Sequence, residues 1–459
     1  MITGPAQDRG FINERHSPLT HRTSQEVIAL RAGKEIDVGQ FIKQARALAS
    51  RLPRHQYVFN LFTNRFDYLL GFCASVIAGQ CTLMPPNKLE STLDELRLSY
   101  PDSYFLGDSG LFETAGASEA PVAGSADLPS DEIPLIPADQ LCAIAFTSGS
   151  TGKPNPNSKY WQTLRTGSFG NAALMLGGIN ERVNIVATVP PQHMWGLETS
   201  ILFPLFANVA VSDRTPFYPQ DIAEAIESLP APRALVSSPV HLKALLDSGV
   251  SVNGLERIFS ATAPMSTELA QALEKRFATS VFEVFGCSES GILAGRETAR
   301  ESLWRLCDLF ELEAGEKGVR VKAGHLPGDV MLQDLIEIRG DRYFAWLGRH
   351  HDMVNIAGKK GSLADLNRRL LAIPGVVDGV IFKPSGDSER LAALVVAPHL
   401  HPSDILLTLK PVVESVFLPR TVYKVPALPR QETGKLASAA VQALFEEISE
   451  SRHPGPGAS

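Results

Sequence analysis

Residues 145–156 read "AFTSGSTGKPNP". Six of the eight residues from Thr147 to Pro154 are Thr, Ser or Gly, and the other two are Lys153 and Pro154. A run of small residues lets successive backbone N–H groups converge on one concavity, which suits an anion. The hydroxyls of Thr147, Ser148, Ser150 and Thr151 add donors, and Lys153 adds a positive charge, with Gly149 and Gly152 completing the run. The chemistry is that of phosphate binding. It is not a Walker loop: that pattern needs glycine at 147 and Ser or Thr at 154, where this chain has Thr147 and Pro154. Proline at 154 also opposes the start of a helix at the phosphate. On composition alone the stretch could be a polar connection, so its surroundings decide.

The loop follows "LCAIAF" (141–146), which reads as a buried strand. Similar runs at 57–62, 183–189, 233–238 and 281–286 alternate with amphipathic stretches. The apolar segment 68–79 is too short to span a bilayer and reads as a buried helix. "STELAQALEKRFA" (266–278) spaces Leu269, Leu273 and Phe277 helically, with Ser266 as N-cap. The alternation predicts an α/β architecture. Residues 113–134 read as a surface connection rich in Ala, Ser, Pro and Gly. Near the C-terminus a helix (363–373), strands (376–384 and 389–398) and a helix (403–416) predict a small α+β domain. Residues 451–459 read as a disordered tail.

Composition bounds the partners. There are 43 basic and 50 acidic residues, a net charge of −7 that argues against a general nucleic-acid binder. Five cysteines without a CxxC pair argue against a disulfide framework or zinc site. The polar N-terminus lacks a signal-peptide core, and no stretch is long enough for a membrane span, so the expected location is cytoplasmic.

Strand plus "TSGSTGKP" resembles the phosphate-binding loop of the adenylate-forming superfamily: acyl-CoA synthetases, peptide-synthetase adenylation domains and luciferases. Further segments resemble that family in order, over residues 141–436. "PPQHMWGLE" (190–198) resembles its histidine segment, which implies that His193 lies near the carboxylate and pyrophosphate. The block 255–291 contains "SATAP" and ends in "FGCSES"; the resemblance implies that Ser260, Ala261, Thr262 and Ala263 line the acid site with Phe285. Phe285, Gly286 and Ser288 fall at nucleotide-binding positions, with Ser288 in place of the family's threonine. Glu289 would help hold Mg²⁺, a hard cation that prefers oxygen ligands. A serine-hydrolase elbow is excluded there, because Ser290 stands where the second glycine belongs.

"HLPGDVM" (325–331) resembles the family's Gly-Asp segment, which implies ribose binding by Asp329. "YFAWLGRHHDMVNIAGKK" (343–360) resembles the interdomain join: Arg349 would contact ribose and phosphate, His351 occupies the hinge, and Gly358 lines the thiol tunnel. His351 departs from the family's usual aspartate or lysine. "LPRQETGK" (428–435) resembles the C-terminal segment carrying the catalytic lysine, Lys435. The implied architecture is a large N-terminal α/β domain (1–348) and a small, mobile α+β C-terminal domain (349–448), followed by a tail (449–459).

The resemblance implies an ATP-dependent, AMP-forming ligase that adenylates a carboxylic acid and transfers the acyl group to coenzyme A or a phosphopantetheinylated acyl carrier protein. Lys435, His193 and Glu289 would be its catalytic residues. One departure stands out. After "GKP" the family usually continues with lysine and glycine, whereas this chain has "NPNSK", with the basic residue delayed to Lys159. That variant resembles ligases of aryl polyene and xanthomonadin-type pigment pathways, which implies a hydroxybenzoate- or hydroxycinnamate-like acid. A medium-chain fatty acid, and a non-catalytic adenylate-binding protein on the same fold, remain alternatives.

Overall fold

The computed structural model describes residues 15–108, 110–112, 130–148, 154–177, 179–316, 318–349, 352–356, 359–385, 390–430 and 436–452. Two sheets carry the large N-terminal part. In the larger, the strands run in the order Asp334–Ile338, Tyr343–Arg349, Trp304–Leu306, Gly291–Arg296, Ser280–Cys287, Arg257–Ser260, Arg233–Ser237, Val183–Ala187, Val209–Ser212, Val27–Arg31, Lys34–Asp37. From Ser280–Cys287 through Val27–Arg31 every neighbouring pair is parallel. Such strands are covered on both faces and therefore read as continuous apolar runs.

The six-stranded second sheet has Tyr57–Asn60, Cys81–Met84, Ser103–Gly107 and Leu141–Ser148 in parallel. Pro154–Tyr160 closes one edge, antiparallel to Leu141–Ser148, with Pro154 opposite Ser148 and Pro156 opposite Phe146. The sequence reads here as the exit of the loop, "NPNSK"; the structure makes it a strand. An edge position explains the difference, since a proline whose nitrogen faces outward removes no ladder bond.

The helix Arg65–Ile77 is buried nearly all round, between the layers, as its unbroken apolar sequence predicts. Asn64 caps it by accepting from the Phe66 and Asp67 amides. Helix Thr267–Phe277 has its expected N-cap: the Ser266 hydroxyl accepts from the Leu269 amide. Its buried Ala270, Leu273 and Phe277 pack with Ile226, Leu245 and Val281 on one face of the large sheet. Burying each large side chain contributes about 1.5–3 kcal/mol.

The smaller C-terminal part has its own core of Ile356, Leu366, Leu370, Ile381, Val395, Ile405 and Phe417. Asp378–Phe382, Ala392–Val396 and Thr421–Lys424 form a three-stranded sheet beside helices Leu363–Leu371 and Pro402–Leu409. The helix expected over 403–416 stops at Leu409, because Pro411 disfavours helical backbone before it. The fold is thus a large α/β domain followed by a smaller α+β one. Most of the expected surface connection 113–134 and most of the expected tail lie outside the described residues. Among the described residues no helix is long and apolar enough to cross a membrane.

Candidate active site

Four neighbouring parallel strands, Val183–Ala187, Arg233–Ser237, Arg257–Ser260 and Ser280–Cys287, end on the same side of the large sheet. Ligands of open α/β sheets bind outside such carboxyl ends. The segments that follow carry His193, residues 260–263 and residues 285–289, so the topology brings these sequence candidates together.

His193 is half-buried and stands at the N-cap of the short helix Met194–Leu197. Two residues on, Trp195 is buried and donates its indole N–H to the Ser237 carbonyl at 3.1 Å. Gly196 is obligatory here: an added Cβ would lie 2.0 Å from the Pro190 carbonyl oxygen.

Ser260 is fully buried at its strand end, and its hydroxyl has no hydrogen-bond partner among the described residues. Ala261 is buried, and Thr262 and Ala263 are half-buried. Thr262 has φ of +79°, a costly conformation for a β-branched residue. It persists because the surroundings impose it. Directly across from Ser260, the buried Glu283 accepts from the Met265 amide at 2.8 Å. Its other carboxylate oxygen accepts from Arg296 at 2.8 and 3.0 Å and from the Thr298 hydroxyl at 2.7 Å. Loop 260–265 therefore hangs from a saturated buried carboxylate.

Phe285 packs its ring 5.5 Å from both Trp304 and Phe344. Beyond it the chain turns tightly through residues 286–291 into the antiparallel strand Gly291–Arg296. Ser288 is half-buried and the Glu289 side chain is exposed. No group of three or more His, Cys, Asp or Glu among the described residues could hold a metal. One accessible carboxylate nevertheless suits Mg²⁺, which keeps several waters and takes substrate phosphates beside one or two carboxylates.

Two buried ionic residues that the sequence does not mark as functional hold this turn. Lys159, from the edge strand, is 3% exposed, and its ammonium donates to the Ser288 carbonyl and, at 3.1 Å, to the Glu289 carbonyl. Burial lowers its pKa, opposed by the charges of Glu198, Cys287 and Glu289. Glu198 begins the π-helical turn Glu198–Leu202 and accepts from the Ile292 amide and the Asn171 side chain, both at 3.0 Å. Burial pushes its carboxyl up to about 7. The displaced basic residue in "NPNSK" and the π-turn, a feature often found at functional sites, are the signals that point to them.

Asp329, expected at the ribose, and a second aspartate, Asp334, stand at different places on this side of the fold. Asp329 is half-exposed, with its carboxylate 3.7 Å from Arg320 of the strand Gly318–Lys322. Asp334 instead stands directly opposite Arg349 at the edge of the large sheet, is buried, and accepts from the Trp346 indole at 2.9 Å. The backbone of Arg349 ends the strand Tyr343–Arg349.

Thr147 is half-buried and pairs with Asn155 across the hairpin, and the backbone of Ser148 pairs with Pro154. Gly149, Ser150, Thr151, Gly152 and Lys153 lie outside the described residues, as do His351, Gly358 and Lys435. The segment holding Lys435 is bounded by a β-bridge between Arg430 and Leu436. Arg430 in turn grips Asp378 through two hydrogen bonds of 2.6 and 2.7 Å. Two concavities open elsewhere, one of about 290 Å³ beside Tyr160 and His325 and one of about 800 Å³ beside Glu313 and Arg320.

Residues 81–308 match the family model described as AMP-binding enzyme. The chain is 26% identical over 254 residues to a 4-coumarate–CoA ligase of Halorhodospira halophila, covering 54% of this chain and 62% of that protein. It is 21% identical over 313 residues to a 3,4-dihydroxybenzoate–aryl-carrier-protein ligase of Bacillus anthracis, covering 65% and 73%. The chain thus spans less than two thirds of the first of these relatives. Its fold is similar to that of ATP-bound MatB from Rhodopseudomonas palustris, with a TM-score of 0.76 at 19% identity, over 94% of this chain and 98% of that one. Residues 81–308 of the chain thus belong to the AMP-binding enzyme family.

Proposed function

We propose that the protein is an ATP-dependent, AMP-forming acid–thiol ligase whose acid is aromatic, of the hydroxybenzoate or hydroxycinnamate class. The observation that carries the reading is the turn with Ser288 and Glu289, tied through Lys159 to the hairpin of the phosphate-binding loop, at the strand ends where His193 and residues 260–263 gather. The two ligase relatives, whose names specify 4-coumarate and 3,4-dihydroxybenzoate, support the aromatic class.

The barrier to adenylation is electrostatic: an anionic carboxylate must attack the anionic α-phosphate. Preorganised donors and cations lower it, often as the largest single catalytic contribution. The N–H groups and hydroxyls of residues 147–153 cradle the phosphates, and Lys435 brings its ammonium to the α-phosphate. His193 lies beside the reacting carboxylate. Mg²⁺ held near Glu289 would neutralise phosphate charge. Arg349 and Asp334, opposite one another, orient the nucleoside, in place of Asp329. In-line placement of acid and phosphate supplies the remaining rate.

The small domain, from residue 349, then turns about His351 and withdraws Lys435. A thiol of coenzyme A or of a phosphopantetheinylated carrier protein enters past Gly358 and displaces AMP from the acyl-adenylate. Domain rotation as a gate is ordinary enzyme physics.

ATP–pyrophosphate exchange with a panel of aryl and fatty acids tests the first half-reaction. Thioester formation with coenzyme A against a loaded carrier protein tests the second. We expect exchange with hydroxylated aryl acids; absence of any acid-dependent exchange would defeat the reading.

A further inference from the structure

We propose that Lys159 and Glu198 are a pair of positioning residues that hold the Ser288–Glu289 turn from its two ends and lock it to the hairpin carrying the phosphate-binding loop. The inference rests on the ligase reading and adds to it two residues that touch neither nucleotide nor acid.

The turn between the strands Ser280–Cys287 and Gly291–Arg296 presents carbonyls at its start and an amide at its end. Lys159 donates to the Ser288 and Glu289 carbonyls, and Glu198 accepts from the Ile292 amide. An ammonium donor meets the acceptors and a carboxyl oxygen accepts from the donor, so each end of the turn is matched. Charge-assisted hydrogen bonds such as those of the Lys159 ammonium are shorter and about twice as strong as neutral ones.

Gly291 fixes the fit further. Its φ is +75°, and a Cβ there would lie 2.5 Å from a Glu198 carboxylate oxygen. The turn is thus seated against the carboxylate with no room for a side chain between them. Asn171, from the helix Trp161–Leu176, holds the same carboxylate oxygen.

Lys159 lies six residues beyond Lys153, in the strand that leaves the phosphate-binding loop. Its 3% exposure makes it a buried ammonium, which a purely packing role would not favour: an apolar side chain of similar volume avoids the desolvation cost. What the lysine adds is a directional link. Without it, these hydrogen bonds between the hairpin and the turn are lost, and the loop and the Glu289 carboxylate can shift relative to one another. A misplacement of about 1 Å can cost on the order of 10²-fold in rate.

The test uses Lys159→Met, Lys159→Arg and Glu198→Gln in the full chain, each checked for folding by thermal melting. Calorimetric titration with Mg·ATP in the absence of acid gives affinity and its dependence on Mg²⁺ concentration. Half-reaction assays separate ATP–pyrophosphate exchange from thioester formation with supplied acyl-adenylate. We expect Lys159→Met to weaken Mg·ATP binding at least about tenfold and to raise the Mg²⁺ requirement, while the second half-reaction stays within about twofold. Lys159→Arg should recover part of the affinity. In a double-mutant cycle with Glu289→Gln, the two losses should fall well short of adding, since Lys159 acts through the turn that carries Glu289.

Equal loss of both half-reactions, or unchanged Mg·ATP affinity and Mg²⁺ dependence in Lys159→Met, would overturn the inference while leaving the ligase reading intact. If Lys159→Met does not fold, the nearly isosteric Glu198→Gln decides between the same outcomes. Wild-type protein that binds no ATP brings down the ligase reading and this inference together.

Discussion

Asp334 faces Arg349 directly across the last two strands of the large sheet, and the Trp346 indole fixes its carboxylate. That register sets the Asp334 carboxylate beside the backbone of Arg349 at the sheet edge. Asp329, five residues earlier, pairs with Arg320 instead. Asp334→Asn keeps an acceptor for Trp346 but loses the charge. Removing a hydrogen bond to a charged group costs about 1.5–3 kcal/mol, so ATP affinity should fall about 10- to 100-fold. Asp329→Asn should change it little, as expected for an exposed pair. Titration of both variants with ATP decides which aspartate serves the nucleotide.

Lys435→Ala should abolish acid-dependent ATP–pyrophosphate exchange and largely spare thioester formation from supplied acyl-adenylate. The division follows from an ammonium needed at the α-phosphate only in the first step. Loss of both half-reactions to the same degree would contradict it.

Glu283→Gln should destabilise the large domain by about 3–5 kcal/mol, the usual cost of breaking a buried ion pair from one side. The variant leaves the half-buried Arg296 without its counter-charge and weakens the hold on the Met265 amide. Urea unfolding followed by tryptophan fluorescence measures the loss. Because loop 260–265 hangs from Glu283, the KM for the acid should rise even where the protein remains folded.

His325 gives a pH signature. Burial against Phe310 lowers its pKa from 6.5 to about 4. Between those values the unfolded chain binds a proton that the folded chain refuses. Its contribution is therefore complete above pH 6.5 and is lost as pH falls toward 4, amounting to at most about 3 kcal/mol. His325→Gln should flatten the pH dependence of stability in that window, as read by urea unfolding at stepped pH.

The strands at 141–148, 183–187, 233–237 and 280–287 were legible because parallel strands covered on both faces are apolar throughout. The Ser266 cap was legible because capping is local chemistry. What escaped the sequence depends on register. Asp334 meets the strand position of Arg349 only through strand pairing, and no local pattern such as the Gly-Asp dipeptide at 328–329 marks it. Lys159 and Glu198 meet one turn from positions 39 residues apart in sequence, which no local pattern reveals. The helix that stops at Leu409 follows from Pro411, a signal present in the sequence but outweighed by the apolar run around it.

The edge strand Pro154–Tyr160 has one more consequence. Exposed sheet edges invite pairing with another chain, and proline is among the residues that blunt them. Pro154 and Pro156 have no N–H to offer a newcomer at this edge of the six-stranded sheet. The unusual exit "NPNSK" therefore guards against self-association at its proline end while anchoring the neighbouring turn at its lysine end. Replacing both prolines with residues that restore the N–H groups would leave that edge open to pairing with a second chain.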